Sequence, residues 1–228
     1  MIIAIDGMSG SGKSTIAKML AKELKINRFN VGMLYRALTK YFCDKKQPPN
    51  PNIDFDDIIL EVDFVQGEQI IKINGKEYNN KELRTTNISQ LVPKYAEIEG
   101  LREVVRNYQR EYARNNNVLM EGRDITSEVL PNADYKFFIT CSYLERSKRR
   151  MEDLQQLGEN VSQKEVVEKL YERDLEDATR KISPLKLVDG VKVVDTSSMN
   201  LTDTIKFIKN EMRRGKCYIC LLYTSPSP

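Results

Sequence analysis

A short apolar run followed by a glycine-rich turn limits the folds of this chain more than any other feature. Residues 2–5 are apolar and end at Asp6, a pattern typical of a buried parallel strand. The turn GMSGSGKS follows at residues 7–14, and apolar residues with helical spacing continue to Leu24. A strand, a glycine turn and a helix in succession predict the first unit of an α/β fold.

The turn fits the pattern G-x-x-x-x-G-K-[ST] at every fixed position. Glycines let backbone N–H groups surround phosphate oxygens, and the following helix adds its positive N-terminal dipole. Lys13 would carry a full charge to the β- and γ-phosphates, and Ser14 would supply a hydroxyl ligand for Mg²⁺. The residues expected to bind the phosphates of ATP are Gly7, Met8, Ser9, Gly10, Ser11, Gly12, Lys13, Ser14 and Thr15.

The composition excludes several kinds of chemistry. The chain has no histidine, which excludes a Ser-His-Asp hydrolase, a histidine-ligated metal enzyme and a histidine acid–base catalyst. Its 228 residues are 40% hydrophobic and 30% charged, as in an ordinary globular protein. The formal net charge of +3 argues against an electrostatic nucleic-acid binder, so we expect no nucleic-acid partner.

The chain carries no recognisable targeting or membrane signal. The first residues, MIIAIDG, lack the positively charged start of a signal peptide. No run approaches the roughly 18 apolar residues of a membrane span. Cys43 and Cys141 are isolated, and Cys217 and Cys220 form a lone CxxC to which we assign no metal or redox role. We therefore expect a cytoplasmic protein that does not contact a membrane.

The remaining pattern predicts a single domain over residues 1–214. A small antiparallel meander, with a hairpin turn at Asn74-Gly75, predicts an insertion over residues 54–83. Helices are expected at 31–42, 87–115, 142–157, 162–180 and 201–212, and strands in 115–124, 134–141 and 191–196.

The last residues, KCYICLLYTSPSP, differ from the rest of the chain because Cys, Leu, Ser and Pro crowd together with a single charge at the start. We expect an irregular tail over 215–228. It resembles read-through of non-coding or adapter sequence, and a native disordered tail is the alternative.

A phosphate loop alone serves hydrolysis, a conformational signal or phosphoryl transfer. A kinase needs a second anion site, which predicts arginines gathered from several loops. One predicted helical face holds Arg173, Asp177 and Arg180. These residues could bind a phosphate, or they could form salt bridges on an exposed helix. The other arginines with this potential are Arg36, Arg102 and Arg123, and a further helical face holds Arg146, Arg149 and Arg150, either as a lid or as a solvated surface.

From residue 2 to about residue 213 the sequence resembles bacterial cytidylate kinases. The matching segments are IDGxSGSGKST, GxxYR at 32–36, LRT at 83–85, GLREVVRNYQR at 100–110, EGRD at 121–124, ERxxRRMEDLQQLG at 145–158 and ERDxxDxxR at 172–180. The resemblance implies a P-loop kinase with a five-stranded parallel sheet wrapped by helices, a monophosphate-binding β insertion at 54–83 and a helical lid at 142–160. It implies Mg²⁺- and ATP-dependent phosphorylation of CMP, and of dCMP, by a monomeric enzyme.

The resemblance also implies roles for individual residues. Arg36, Arg123 and Arg180 would bind the acceptor's α-phosphate, Arg173 would serve the phosphates, and Asp177 would bind the ribose hydroxyls. Arg102 and Asp124 would read the cytosine edge. Arg146, Arg149 and Arg150 would belong to the lid over ATP, and the catalytic set would be Lys13, Arg123, Arg149 and Arg180.

The sequence departs from the family pattern at four places. The segment before the YR helix is Asn30-Val31-Gly32 rather than Asp-Ser-Gly or Asp-Thr-Gly, and Pro93 stands where a serine is expected to touch cytosine. Met8 replaces a proline, and Glu121 replaces an aspartate. Because Val31 and Pro93 remove hydroxyls, UMP or another phosphorylated acceptor is an alternative, as is a nucleotide-binding regulator without transfer activity.

Overall fold

The computed structural model describes residues 1–156 and 162–222. Eight strands are present in this part of the chain: β1 (Ile2–Gly7), β2 (Asn27–Asn30), β3 (Leu60–Val65), β4 (Glu68–Ile73), β5 (Lys76–Tyr78), β6 (Val118–Glu121), β7 (Tyr135–Thr140) and β8 (Lys192–Asp195). The helices are α1 (Lys13–Leu24), α2 (Val31–Asp44), α3 (Asn80–Leu83), α4 (Thr86–Ala96), α5 (Glu99–Asn115), α6 (Tyr143–Gln156), α7 (Gln163–Thr179) and α8 (Leu201–Leu222), with a π-helical turn at Ile125–Val129.

A five-stranded parallel sheet with the order β2-β6-β1-β7-β8 forms the core, which confirms the predicted fold class. The central strand β1 is apolar throughout because both of its faces are covered. Ile3 and Ile5 face α1 and α8, whereas Ala4 belongs to the apolar cluster with α2 and α5. The carboxyl ends of the strands meet at one edge, where Ile5 pairs with Glu121 and Gly7 with Ile139. That edge is where ligands bind in open α/β sheets.

A second sheet with the order β3-β4-β5 is antiparallel and lies inside the predicted insertion. Its backbone is tied to α5 because the Val62 N–H donates to the Tyr108 hydroxyl at 2.7 Å. Phe64 packs against Phe29 of β2 and Tyr112 of α5, with ring centroids 6.3 and 5.8 Å apart. The insertion therefore shares its apolar core with the main domain.

The structure differs from the predicted elements in several places. The helix predicted over 87–115 is two helices, because the chain breaks at Glu97 and buried Ile98 precedes α5. Strand β2 and the π-helical turn were not predicted. The helix α8 continues to Leu222, so residues 215–222 are helical rather than irregular. Residues 157–160 of the predicted lid lie outside the described residues.

None of the helices that the structure describes combines the length and the apolar character that crossing a bilayer requires.

Candidate active site

The glycine loop between β1 and α1 has a backbone that side chains would disrupt. A Cβ on Gly7 would lie 2.0 Å from the carbonyl oxygen of Ile139 on the neighbouring strand. Gly12 caps α1 with φ +86°, in the left-handed region that favours glycine. The Met8 N–H donates to Ile139 O at 3.3 Å, which joins the start of the loop to β7.

The side chain of Lys13 folds back over this loop. It is 7% exposed, and its Nζ donates to the carbonyl oxygen of Met8 at 2.9 Å. Burial, and next the positive charge of Arg123, lower the pKa of Lys13 to about 7, against the opposing effect of Glu121 and Asp6. An incoming anion such as a phosphate would stabilise the charged form of Lys13 against the effects of burial and Arg123.

A hydroxyl and a carboxylate meet next to Lys13. The Ser14 hydroxyl donates to Glu121 Oε2 at 2.7 Å, and Arg28 Nε lies 3.1 Å from Glu121 Oε1. The described residues contain no cluster of three or more Cys, Asp or Glu that could hold a metal ion. Two oxygen groups beside a phosphate loop fit Mg²⁺, which is commonly held by one or two protein ligands together with substrate phosphates. The sequence predicted no ligand role for Glu121, which was noted within the EGRD segment and as a departure from the family pattern, although a charged residue at the end of a buried strand is a recognisable signal.

A cavity of about 300 Å³ opens directly beside Lys13 and Ser14. Its polar wall holds arginines from separate elements, namely Arg36, Arg84, Arg102, Arg123, Arg173 and Arg180. Five of these six were selected from the sequence, and Arg84 had been noted only as part of the LRT segment. Val92 and Ala96 of α4 provide an apolar wall. The cavity can therefore hold an anion at one side and a flat apolar group at the other.

Asp177 on α7 organises three of these arginines. It is 2% exposed and accepts from Arg123 Nε at 2.7 Å and from Arg173 Nη2 at 3.3 Å, and Arg180 Nη1 lies 3.6 Å away. Burial acts to raise the pKa of this carboxyl, but Arg123, Arg173 and Arg180 together hold it below its usual value. Arg180 lies one residue beyond the end of α7, where its Nε donates to Ser183 O at 2.6 Å.

A second buried ion pair also lines the cavity. Arg102 Nη1 donates to Asp124 Oδ2 at 3.0 Å, and its guanidinium lies 5.6 Å from the centre of the Tyr35 ring. Burial raises the pKa of Tyr35 to about 12. Within the described part of the chain, Arg102 Nε and Arg180 Nη2 are buried without a hydrogen-bond partner. Unpartnered donors that line a cavity are available to a ligand.

Asp6 connects this cavity to the phosphate loop. It is fully buried, and its carboxylate accepts from Ile125 N at 3.0 Å and from the Thr126 N–H and hydroxyl, each at 2.7 Å. Burial raises the pKa of Asp6. The π-helical turn that follows Arg123 and Asp124 is thereby fixed to the end of β1.

Arg36 reaches the cavity from α2. Its Nη1 donates to Leu83 O at 3.0 Å and to the Ser89 hydroxyl at 2.8 Å. Burial, with the nearby charges of Arg84 and Arg173, lowers the pKa of Arg36. The repulsion between these cations would be relieved by a bound anion.

The three arginines of the predicted lid lie on α6 in different surroundings. Arg146 is fully buried against Ser9 and Asp174. Arg149 Nη2 donates to Thr196 O at 3.0 Å, and its Nη1 lies 3.5 Å from Ser11 O. Arg150 is exposed. Two of the three thus contact the phosphate loop, and the donor-binding roles of all three stay predictions.

Val31 and Pro93, which replace residues expected to carry a hydroxyl, differ in their position relative to the cavity. Val31 is buried and lines the cavity, beside Asn30, whose side chain accepts from Met33 N at 3.2 Å and caps α2. Pro93 lies inside α4, whose contribution to the cavity wall comes from Val92 and Ala96. Val31 therefore borders the cavity directly, whereas Pro93 is not among the residues that line it.

A parallel sheet with a glycine loop at its carboxyl edge, next to an arginine-lined cavity, defines a P-loop kinase. The family model described as cytidylate kinase matches residues 3–214. The chain belongs to the cytidylate kinase family, and it is therefore a nucleoside monophosphate kinase, an enzyme.

Individual relatives agree with this membership. The chain is 38% identical to the cytidylate kinase of Thermotoga neapolitana over 90% of its own length and 94% of that protein. It is 37% identical to the cytidylate kinase of Clostridium botulinum strain Langeland, over 93% and 97%. The crystal structure of an uncharacterized protein from Eubacterium ventriosum shares the fold, with a TM-score of 0.55, 14% identity and coverage of 93% and 98%.

Proposed function

We propose that this enzyme transfers the γ-phosphoryl group of Mg²⁺-bound ATP to CMP, and to dCMP, giving the diphosphates. The observation that carries the proposal is the arginine-lined cavity beside Lys13 and Ser14, which supplies a second anion site next to the phosphate loop. The family membership and the names of the relatives support the choice of acceptor.

The donor side is formed by the loop from Gly7 to Thr15. Its backbone N–H groups and Lys13 would hold the phosphates of ATP, with Arg149 contacting the loop from α6. Ser14 and Glu121 would hold Mg²⁺. When bound, the ion neutralises charge on the β- and γ-phosphates.

On the acceptor side, different residues would bind different parts of CMP. Arg36, Arg123 and Arg180 would bind the α-phosphate, with Arg173 at its edge. Asp177 would accept from the ribose hydroxyls, and Arg102 with Asp124 would hydrogen-bond the cytosine edge. Arg102 Nε and Arg180 Nη2, which have no hydrogen-bond partner among the described residues, support this assignment, because each could donate to such a ligand.

The reaction needs positioning and charge neutralisation rather than a general base. A phosphate oxygen of CMP, already anionic at pH 7, attacks the γ-phosphorus while the bond to the β,γ-bridging oxygen breaks, which leaves ADP. Lys13, Arg123 and Arg149 would stabilise the charge that spreads over the transferred group. The absence of histidine is compatible with this chemistry.

An assay of ADP release over CMP, dCMP, UMP, AMP and GMP tests the function. We expect the highest kcat/KM with CMP and dCMP, and no turnover with either would refute the proposal. Preferential turnover of UMP would support the alternative acceptor, and ATP binding without transfer to any monophosphate would support a regulator.

Replacing Arg180 tests the division between donor and acceptor sides. Arg180→Ala removes a cation from the cavity but leaves the phosphate loop intact, so we expect the KM for CMP to rise about 10–100-fold with little change in the KM for ATP. The exposed Arg114→Ala on α5 is the matched control. Unchanged CMP kinetics in Arg180→Ala would count against the assigned role.

A further inference from the structure

We propose that Arg146 and Asp174 are positioning residues, which orient the peptide groups at the tip of the phosphate loop. The proposal rests on the proposed function, because it assumes that this loop binds the phosphates of ATP. Arg146 had been expected to contact ATP itself, and the geometry points to an action through Ser9 instead.

The two side chains hold both polar groups of the Ser9 backbone. Asp174 Oδ1 accepts from the Ser9 N–H at 2.9 Å, and Arg146 Nη1 donates to the Ser9 carbonyl oxygen at 2.9 Å. The same Arg146 nitrogen also donates to Asp174 Oδ2, which closes the arrangement. Arg146 is 0% and Asp174 7% exposed, so neither side chain is free to move without breaking these bonds.

This arrangement sets the direction of the next N–H group along the loop. A trans peptide is planar, and its C=O and N–H point in opposite directions. Because Arg146 holds the Ser9 carbonyl toward α6, the Gly10 N–H must point away from α6 and toward the other side of the loop. Gly10 has a φ of +70°, which lets the chain turn at that point.

The Ser9 N–H is already used by Asp174, so it would not be free for a phosphate oxygen. A carboxylate this close to the loop would repel phosphate if it were unpaired, and the charge of Arg146 offsets it. Because Arg146 neutralises its charge, Asp174 can hold the Ser9 N–H without repelling a bound phosphate.

The environment of Arg146 also favours an indirect role. Its guanidinium lies 4.1 Å from the centre of the Tyr143 ring. A Cβ on Gly10 would lie only 3.4 Å from Leu170 and 3.7 Å from the Cβ of Arg146, so α6 and α7 pack closely against the loop. In the described part of the chain, Arg146 Nε and Nη2 have no hydrogen-bond partner. A direct contact with ATP through these nitrogens is the competing explanation.

A double-mutant cycle separates the two explanations. We would measure the Kd for ATP and for CMP by calorimetry in Arg146→Met, Asp174→Asn and the double variant, with melting temperatures recorded in parallel. We expect each single variant to raise the Kd for ATP at least tenfold while the Kd for CMP stays within twofold. The double variant should be no weaker than the weaker single variant, because both changes remove the same arrangement.

Two further variants sharpen the test. Asp174→Ala removes the acceptor for the Ser9 N–H that Asp174→Asn retains, so it should bind ATP more weakly than Asp174→Asn. The exposed Glu168→Gln on the same helix is the control and should bind both nucleotides as the unmodified chain does.

Additive losses of ATP affinity would overturn the proposal in favour of direct contact by Arg146. An equal loss of CMP affinity would also overturn the proposal and show that the pair only stabilises the fold. Unfolding of the double variant, in which neither buried charge remains, would lead to the same conclusion. Failure of the unmodified chain to bind ATP would instead refute the proposed function.

Discussion

At the scale of single residues, the charge of Lys13 is under the control of its surroundings. Because burial and Arg123 lower its pKa to about 7, we expect Lys13 to be mostly neutral at pH 8 in the nucleotide-free enzyme. Phosphate charge would restore the protonated form, so we expect ATP binding at pH 8 to take up a proton, up to about one per site. Calorimetry in two buffers with different ionisation enthalpies measures this uptake.

The Lys13→Met variant is the reference for that measurement, since it removes the titrating group. Equal proton uptake in both proteins would contradict the prediction.

The lowered pKa of Lys13 also affects the stability of the nucleotide-free protein. The pKa of Lys13 is lower in the folded state than the ordinary 10.5, so the unfolded chain binds more protons between about pH 7 and 10.5. The free energy of unfolding therefore gains a contribution as pH rises through that window, and Lys13→Met should lack it.

The contact between Ser14 and Glu121 leads to a prediction about Mg²⁺. Glu121→Gln keeps the shape of the side chain but removes its charge, so we expect the Mg²⁺ concentration for half-maximal activity to rise about 10–100-fold. A titration of activity against free Mg²⁺ at saturating ATP measures it. Glu128→Gln, which changes a surface carboxylate paired with Lys186, is the control. A fall in kcat with unchanged Mg²⁺ dependence would show that Glu121 acts through Arg28 instead.

At the scale of elements, the β insertion supports the acceptor side through Gln69 of β4. Its Oε1 accepts from the Asn30 N–H at 2.7 Å and its Nε2 donates to Asn30 O at 3.4 Å, at the residue that caps α2. Because α2 carries Arg36, loss of these bonds should loosen the acceptor site. We expect Gln69→Ala to raise the KM for CMP about 5–20-fold, equivalent to about 1–2 kcal/mol.

Steady-state kinetics with each substrate varied in turn would test this prediction. The KM for ATP should change less than twofold, and Glu77→Ala, on the exposed part of the same sheet, should change neither constant. A rise in both KM values would instead indicate that the insertion stabilises the whole fold.

The elements that the sequence predicted are those with a strong local pattern. Strand β1 and its loop carry an apolar run and fixed glycines, and both were confirmed. Strand β2 was missed because Asn27–Asn30 has one apolar residue, Phe29, and sits at the edge of the sheet. The π-helical turn depends on hydrogen bonds to Asp6, about 120 residues away, and no local pattern encodes it. The break between α4 and α5 likewise follows from the burial of Ile98 rather than from spacing.

In the site, too, features with a local sequence pattern were predicted and those that depend on distant contacts were not. The sequence selected five of the six arginines that line the cavity, all but Arg84, since their motifs are short and ordered along the chain. It could not pair Arg102 with Asp124 or Arg146 with Asp174, because these partners are joined only after the sheet and helices have packed. Burial of Arg146 was opposite to the expectation for a charged residue on a predicted lid helix.

At the scale of the whole molecule, the extent of the domain can be tested by truncation. The buried apolar residues of α8 in the described part, Ile205, Ile208 and Met212, all precede the end of the family match at residue 214. We expect a chain that ends at Arg214 to keep its kcat and to melt within about 2 °C of the full chain. Thermal melting and the ADP-release assay measure both. A large loss of stability would show that residues 215–228 belong to the domain.

The bonds from Asp6 to Ile125 and Thr126 have a consequence for engineering this enzyme. The strand that ends in the donor loop and the turn that follows the acceptor residues Arg123 and Asp124 share one buried carboxylate. A chimera that exchanges residues 121–130 for those of a kinase with another acceptor would have to import a matching partner for residue 6. Donor and acceptor halves are therefore not interchangeable parts, and a change of acceptor is more accessible through the cavity wall at Val31, Val92 and Ala96.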